Sequence, residues 1–579
     1  RPVQVTSDVR LGTNGLTEIS TSIGGKVGRD KNVFSYNLYG TSKSVNDYNI
    51  ESAQFTVDSV AQNSPYYLGA SDNPSQPEIV GIPHHSSIVG LNMNFRGFRV
   101  SWNLLYRQDH SALGAHPSKI SYSNPGNFYG ENITNGAIQY SKNLGEHWSL
   151  LMNASTVIYA MDNNSSYVGI DHDLSNGVNY MYASSADFRF EPLVRYNKGQ
   201  FTVLSGALFA NSSGINSQNF LLRPFIEEEK LAIDSTGNYI VSNSLVEGDI
   251  IDSSFVLDKF NFNTISLFSQ VFYKGDKLNV MAGFRYERRT DLESFIPIDT
   301  TGNFDINTIQ ATPSIGGLYA LTDQVTFRAS FTRAFQTPGP YYQSNNYGAG
   351  MLGQPLNRRT VLHRQEVLGT FSAGADYYLQ EKKGRIALSY FHNKLKSSLY
   401  TEIKVPVGET VPPGGFYVGH VNRNTASVLN GARLSFYRDF PNVSMDIHGV
   451  YYFGYEELED VAELNGYRSV PNYEVKGNVK ARFWRKNAVG LNMQFYGPFV
   501  NRIIVAKGQI FEDVTGASYN VDLFYSRKFG KNLTGSFKIM NLTNTVTKGV
   551  FTNWLDGYDF NYVPQLQRWF YVNLSYDLN

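Results

Sequence analysis

The strongest constraint in this sequence is an alternation of apolar and polar residues with a period of two, interrupted by connections that are short and long in turn. In the last segment Phe570, Val572, Leu574, Tyr576 and Leu578 fall on one face, and Trp569, Tyr571, Asn573, Ser575 and Asp577 on the other. Val475, Val479, Ala481 and Phe483 likewise oppose Glu474, Lys476, Asn478, Lys480 and Arg482. A third segment sets Val325, Phe327, Ala329 and Phe331 against Thr326, Arg328, Ser330 and Thr332. Successive side chains of a strand point to opposite faces, so these segments read as strands with one apolar face. Long helical stripes are not apparent, and the enrichment in Val, Thr, Tyr and Phe favours strand.

Ten short polar turns join pairs of such segments: 29–32, 96–97, 143–146, 197–199, 274–277, 321–324, 380–384, 438–442, 485–487 and 528–531. Each reads as a tight hairpin. Between the hairpins run mostly long polar connections, rich in Pro, Asn, Ser and Gly and expected to be irregular. Ten hairpins give about 20 strands. One more precedes them near Val3 to Leu11, turned by Thr13-Asn14-Gly15, and one follows, Arg568 to Leu578. The expected total is about 22, an even number within the range of outer-membrane barrels. A propeller would repeat a four-strand blade motif and a solenoid a coil motif, and neither repeat is present.

The fold this predicts is all-β: a closed antiparallel transmembrane β-barrel of about 22 strands, with short periplasmic turns and long extracellular loops, spanning residues 1–579. No apolar run reaches the ~18 residues of a membrane-spanning helix. The mean hydropathy of −0.30 is what alternation and polar loops produce. A bilayer offers backbone groups no water, so the strands must close on themselves. The charges of Glu474 to Arg482 must then face an aqueous or protein-filled interior, because Lys or Arg at mid-bilayer costs about 2–4 kcal/mol. Tyrosine and tryptophan settle at the headgroup level. Tyr39, Tyr106, Tyr196, Tyr273, Tyr378, Trp484, Tyr525 and Trp569 are the expected girdle residues.

Composition excludes other functions. Lys plus Arg and Asp plus Glu both number 50, so the basic excess of a nucleic-acid binder is absent. There is no cysteine, which removes thiolate catalysis, disulfides and cysteine zinc sites and suits an oxidising envelope. No nucleophile elbow, HExxH or phosphate-cradling glycine loop is present, so no catalytic residue is assigned and the chain is expected not to be an enzyme. His84, His85, His110, His116 and Asp171-His172-Asp173 offer metal-ligand chemistry. Their spacing is not that of a compact site, and neither a metal site nor a cofactor is assigned. The acidic runs Glu227-Glu228-Glu229 and Glu456 to Asp460 lack the spacing of a calcium loop and read as solvated charge. Aromatic clusters in pore-mouth loops suit stacking on a ligand or docking a partner. Tyr341, Tyr342 and Tyr347, with Trp554, Tyr558 and Tyr562, are the candidates for ligand binding.

Three stretches resemble signatures of the TonB-dependent outer-membrane receptor family. Ser330 to Pro338 is similar to its strand-to-loop signature, with Arg333, Phe335 and Pro338 at the motif positions. Val421 to Leu434 resembles its asparagine and glycine motif, through Asn422 and Gly431. Ile539 to Asn544 resembles the motif of the penultimate strand, through Asn541 and Leu542. The family's Leu-Lys-Pro-Glu is reduced here to the glutamate of Val361 to Glu366. The style of the long loops resembles receptors of the Bacteroidota.

The resemblance implies a bacterial outer-membrane, multi-pass receptor that takes up a scarce nutrient (an iron chelate, haem, vitamin, glycan or peptide) through a gated barrel. A wide barrel needs a plug, and the resemblance places an N-terminal plug domain upstream of Arg1, where a TonB-type energy transducer acts. Outer-membrane lipid is an implied partner, a surface lipoprotein or other outer-membrane proteins are further ones, and nucleic acid is not. The alternative reading is a transport-inactive receptor-like barrel acting as a structural subunit of an outer-membrane assembly for protein insertion, secretion or surface attachment.

Overall fold

The computed structural model describes residues 3–29, 32–47, 83–111, 126–168, 178–221, 224, 232–233, 239–241, 255–256, 259–294, 308–337, 364–379, 383–404, 417–422, 426–456, 471–484, 486–505, 509–545 and 568–578. Within them, 22 long strands form the wall. They are β1 Val3–Gly12, β2 Thr17–Val27, β3 Phe34–Val45, β4 His84–Phe95, β5 Phe98–Asp109, β6 Tyr129–Asn143, β7 Trp148–Met161 and β8 Val178–Lys198. Next come β9 Phe201–Leu221, β10 Lys259–Lys274, β11 Leu278–Ser294, β12 Thr308–Ala320, β13 Val325–Gln336, β14 Glu366–Leu379 and β15 Gly384–Lys396. The last are β16 Ala426–Asp439, β17 Val443–Glu456, β18 Tyr473–Phe483, β19 Asn487–Tyr496, β20 Ser518–Phe529, β21 Leu533–Met540 and β22 Trp569–Leu578. Each pairs antiparallel with its sequence neighbours, and β22 pairs with β1 from Val5↔Leu578 to Gly12↔Tyr571. The ring is therefore closed, and no backbone edge is left to lipid. Thr6 adds a side-chain bond across the seam to Asp577 at 2.9 Å.

The ten expected hairpins join β2 to β3 and each later pair through β20–β21. Arg96 and Gly97 both have positive φ, 47° and 86°, as do Asn14 and Gly15 at 60° and 69°. Two central residues with positive φ match the right-handed twist of the flanking strands, which is why Gly stands second in both turns. The first strand begins and the last ends on the side of the ten short turns.

The alternation sorts side chains as the sequence requires. Leu574 of β22, Leu434 of β16, Leu388 of β15, Ile315 of β12 and Leu267 of β10 are exposed on the outer face. Their inward neighbours include Asn573, Arg433, Arg385 and Arg285. Five expected girdle residues face outward. Tyr196 packs at a tilt against Trp148 at 4.6 Å and Tyr273 against Phe201 at 5.2 Å near the short-turn rim, where Phe98 also meets Tyr140 at 4.5 Å. Tyr525 and Trp484 share that rim with Phe483. Tyr106 lies towards the long-loop rim, beside the ring of His85.

Three girdle expectations fail by register. Tyr39 faces inward and lies over Gly90 on the next strand. Tyr378 pairs with inward Arg385. Trp569 is buried on the inner side, one residue out of phase with exposed Phe570. Aromatic type and nearness to a strand end do not set facing, but register does.

The long connections also depart from expectation. β8 and β9 are 21 residues each, about 50 Å of tilted strand against an apolar band of about 25 Å. The wall therefore rises well above the membrane here, over segments expected to be irregular. Further pairs stand in the connections: Leu399–Lys404 with Tyr417–Asn422, Phe499–Val505 with Gln509–Thr515, and a small sheet of Ala232–Ile233, Tyr239–Val241 and Phe255–Val256. Ser166–Val168 adds a short strand beside β8.

Candidate functional site: the barrel interior and its outer rim

The inward residues build a polar wall. Arg10 pairs with Glu18 at 2.7 Å across β1 and β2. Arg285 holds Glu287 at 2.7 Å, and both reach Ser266. Arg385 bonds Asp376 at 2.7 Å, and Arg328 approaches the same carboxylate at 3.6 Å. Lys476 pairs with Glu474, and Lys538 with Asp522 at 3.4 Å. Amide bonds fill gaps between the charges, as between Asn135 and Asn103 at 2.9 Å and between Asn478 and Asn492 at 2.9 Å. The segment Glu474 to Phe483 behaves as its sequence requires, with its charges inside. A cavity of about 1080 Å³ lies against the wall in its short-turn half. Arg195, Thr202, Leu204, Met281, Leu318 and Arg328 line it, two guanidinium groups among apolar side chains.

At the long-loop end, inward residues of β4 to β7 converge. His84 Nδ1 lies 2.5 Å from Asp109, and Arg107 bridges Asp109 and Glu131. The hydroxyls of Tyr129 and Tyr159 both donate to Glu131, at 2.8 and 3.0 Å. Glu131 is buried, and a buried carboxylate is tolerable only with such partners. Loop stubs close over this cluster. Ser165 Oγ accepts the N–H of Gly130 at 3.0 Å, Phe128 and Ser166 exchange two backbone bonds, and Ser111 Oγ donates to the carbonyl of Ser166 at 2.8 Å. Burial pushes the Tyr167 hydroxyl above its ordinary pKa and keeps it neutral. The result is a rigid ledge at the mouth, tying the connections after β5 and β7 to the inner wall.

The positions singled out in the sequence fall into two groups. Tyr341, Tyr342, Tyr347, Trp554, Tyr558, Tyr562 and Pro338 lie outside the described residues, as do His116, Asp171 to Asp173, Glu227 to Glu229 and Glu457 to Asp460. The other motif residues are on the long-loop rim or the wall, and their contacts are architectural. Arg333 and Phe335 share the outward register of β13 with Phe331. Asn422 Nδ2 donates to the carbonyls of Arg364 and Ser397, at 2.9 and 2.7 Å, while its Oδ1 accepts the N–H of Arg364 at 2.5 Å. Glu366, the retained glutamate, accepts the N–H of Leu399 at 2.6 Å. Together they knot three chain segments where two connections leave the barrel.

Gly431 faces inward beneath the ring of Phe391, which occupies the space of a β-carbon. Asn541 holds φ at 51°, donates its backbone N–H to Asp522 at 3.0 Å, and clasps Thr545 through two side-chain bonds. The N–H of Leu542 then reaches the carbonyl of Val521 at 2.6 Å. Of the histidines, His84 joins the mouth cluster and His110 is buried nearby, whereas His85 faces outward. Among the described residues no group of three or more His, Asp or Glu is placed to hold a metal ion. Sequence reading passed over the mouth cluster. Its signal was the pair of i, i+2 patterns Arg107-Gln108-Asp109 and Tyr129-Gly130-Glu131, which put charge on one face at strand ends.

A family model described as "TonB dependent receptor-like, beta-barrel" matches residues 20–542. Among solved structures, the pyoverdine outer membrane receptor FpvA from Pseudomonas aeruginosa PAO1 superposes with a TM-score of 0.69 at 10% identity, over 100% of this chain and 79% of that one. The siderophore receptor PirA from Acinetobacter baumannii gives 0.64 at 13% identity, over 100% and 81%. The copper transporter OprC gives 0.67 at 12% identity, over 100% and 80%. Identities this low establish a common fold. No curated protein matches the sequence.

Proposed function

The chain belongs to the TonB-dependent receptor β-barrel family and is a protein of the bacterial outer membrane; on that premise we propose that it takes up a scarce nutrient through its lumen. The nutrient classes are those of such receptors: an iron chelate, haem, a vitamin, a glycan or a peptide. The observation that carries this reading is the inner wall. A closed ring of 22 strands, lined by paired charges and amides from Arg10–Glu18 round to Lys538–Asp522, encloses a wide polar conduit. Barrels of this size work with a plugged lumen, so the proposal includes a plug domain preceding the barrel, moved by a TonB-type transducer that couples to the proton gradient. The similarity to receptors named for siderophores and to a copper transporter supports uptake of a metal or its chelate as the first class to test.

The test is growth of a deletion strain, and of the same strain carrying the gene, on media limited in turn for iron, haem, cobalamin, oligosaccharide and peptide. The reading expects a defect on one source, restored by the gene and lost again when a protonophore collapses the gradient. Equal growth of both strains on every source would overturn it.

A further inference from the structure

The ten short turns carry thirteen Lys or Arg against six Asp or Glu, in a chain whose net charge is zero. The short-turn rim is therefore a basic collar. Its geometry is specific at three turns. Arg96 lies over the ring of Phe95 at 5.1 Å, Arg438 over Phe440 at 5.4 Å, and Arg527 over Phe529 at 5.4 Å. All three rings are exposed, at 40%, 45% and 52%, where the outer face meets the turns. The same arrangement recurs at the turns β16–β17, β20–β21 and β4–β5, which fall within one half of the ring, on either side of the seam between β22 and β1.

Each unit has an apolar base and a cationic cap. The phenylalanine suits the edge of the hydrocarbon layer, and the guanidinium above it is held by the ring quadrupole at the level of the headgroups. Arginine is planar and weakly hydrated, and binds phosphate through two parallel hydrogen bonds. Surface pairing leaves much of this capacity open to solvent. Arg96 gives its Nε to Asn32 at 2.8 Å, on the exposed face of the turn. Beside Arg527, Trp484 is 84% exposed and packs edge-on against Phe483 at 5.3 Å, adding a large ring at the same depth. Arg438 shares the outward register of Leu434, and Arg527 that of Tyr519 and Phe529, so these cations border the lipid and not the lumen. An anionic headgroup layer beside the hydrocarbon fits that position and that charge.

We propose that the short-turn rim selects anionic phospholipid from the periplasmic leaflet, with Arg96, Arg438 and Arg527 as its headgroup sites. The collar holds phosphatidylglycerol-like lipids against the barrel and fixes its depth and tilt, whatever the lumen transports. A basic residue near an anionic membrane surface gains about fivefold in binding at modest ionic strength. Salt weakens that gain.

The experiment reconstitutes the protein in nanodiscs of phosphatidylethanolamine with a minor share of phosphatidylglycerol. The lipids retained after detergent extraction are then weighed by native mass spectrometry. Wild type is expected to retain phosphatidylglycerol several-fold above its share, with the enrichment falling as salt is raised. The triple variant R96Q/R438Q/R527Q is expected to retain it near its share. The R96K/R438K/R527K variant keeps the charge but not the fork, and is expected to fall between the two. A control, R288Q/R333Q/K394Q at the other rim, is expected to behave as wild type. If the glutamine variant does not fold, the lysine variant and the salt series on wild type still decide. Retention by wild type at the bulk ratio, enrichment indifferent to salt, or loss in the control alone would each overturn the proposal.

Discussion

Leu574 on β22 tests the two-faced wall where closure is most demanding, because its strand neighbours are the start and the end of the chain. It is the sixth of ten residues in Trp569–Leu578, half-exposed on the outer face, opposite Val9 across the seam and Gly535 on the other side. Four residues separate it from the short-turn end of β22, which is about 10 Å of height on a tilted strand. The apolar band is about 25 Å tall, so Leu574 sits close to its middle. Leu574→Arg then puts a guanidinium into hydrocarbon and costs about 2–4 kcal/mol. The next residue, Ser575, points into the lumen opposite Asp8 and Thr534. Ser575→Arg puts the same group in water beside a carboxylate, and the cost stays below about 1 kcal/mol. The two variants should differ by about 1–4 kcal/mol, a factor of about 5 to 1000 in folding equilibrium. Urea titration in phospholipid vesicles, read by the gel shift between folded and heat-denatured protein, measures it. Equal costs, or a greater cost for Ser575→Arg, would refute the assignment of faces.

Three further substitutions test individual joints, each read by the same titration. Gly431→Ala must move the ring of Phe391 and should cost about 1–2 kcal/mol, and Phe391→Leu in the same chain should recover most of it. Asn541→Ala loses both the clasp on Thr545 and tolerance of φ at 51°, so it should cost about 1–3 kcal/mol. Asn541→Gly, which keeps the conformation, should cost less. Arg107→Leu strips the ion pair from buried Glu131 and should cost about 1–3 kcal/mol. Adding Glu131→Gln should return part of that loss, because the tyrosine hydroxyls still have an acceptor.

Much of the wall was legible in the sequence because it rests on local signals. Alternation marked strands such as Val325–Gln336 and Trp569–Leu578, and Arg96-Gly97 and Asn14-Gly15 marked turns whose backbone needs positive φ. The even strand count followed from the order of short and long connections. What could not be read depends on facing and on distance along the chain. Trp569 and Tyr39 look like girdle residues until register shows them pointing inward. The strand extension of β8 and β9 was hidden because Val178 to Ala183 runs apolar and aromatic residues together on both faces, whereas Asn211 to Asn219 is mostly polar on both. Above the membrane no lipid face imposes alternation: Tyr182 is buried with Met161, and Tyr180, Met181, Ala183 and Ile215 pack against them. The mouth cluster joins His84, Asp109, Glu131 and Tyr159, and only the closed wall brings those strands side by side. The motif residues Asn422, Gly431 and Asn541 were found by resemblance, and the structure supplies their physical reason: they tie strand ends and fit rings over backbone.

The whole account rests on one ring of 22 strands sealed between the first and the last. The chain has no cysteine, so a pair introduced across the seam reports without background. Asp8 and Ser575 are register partners facing the lumen. With Asp8→Cys and Ser575→Cys in membrane-embedded protein, a short bifunctional thiol reagent should join the two strands nearly completely. The joined barrel should then resist urea more strongly than the unjoined one. A mismatched pair, Asp8→Cys with Tyr571→Cys, four residues out of register, should stay largely unjoined. Joining of the mismatched pair in preference to the matched one, or of neither, would contradict the closed barrel.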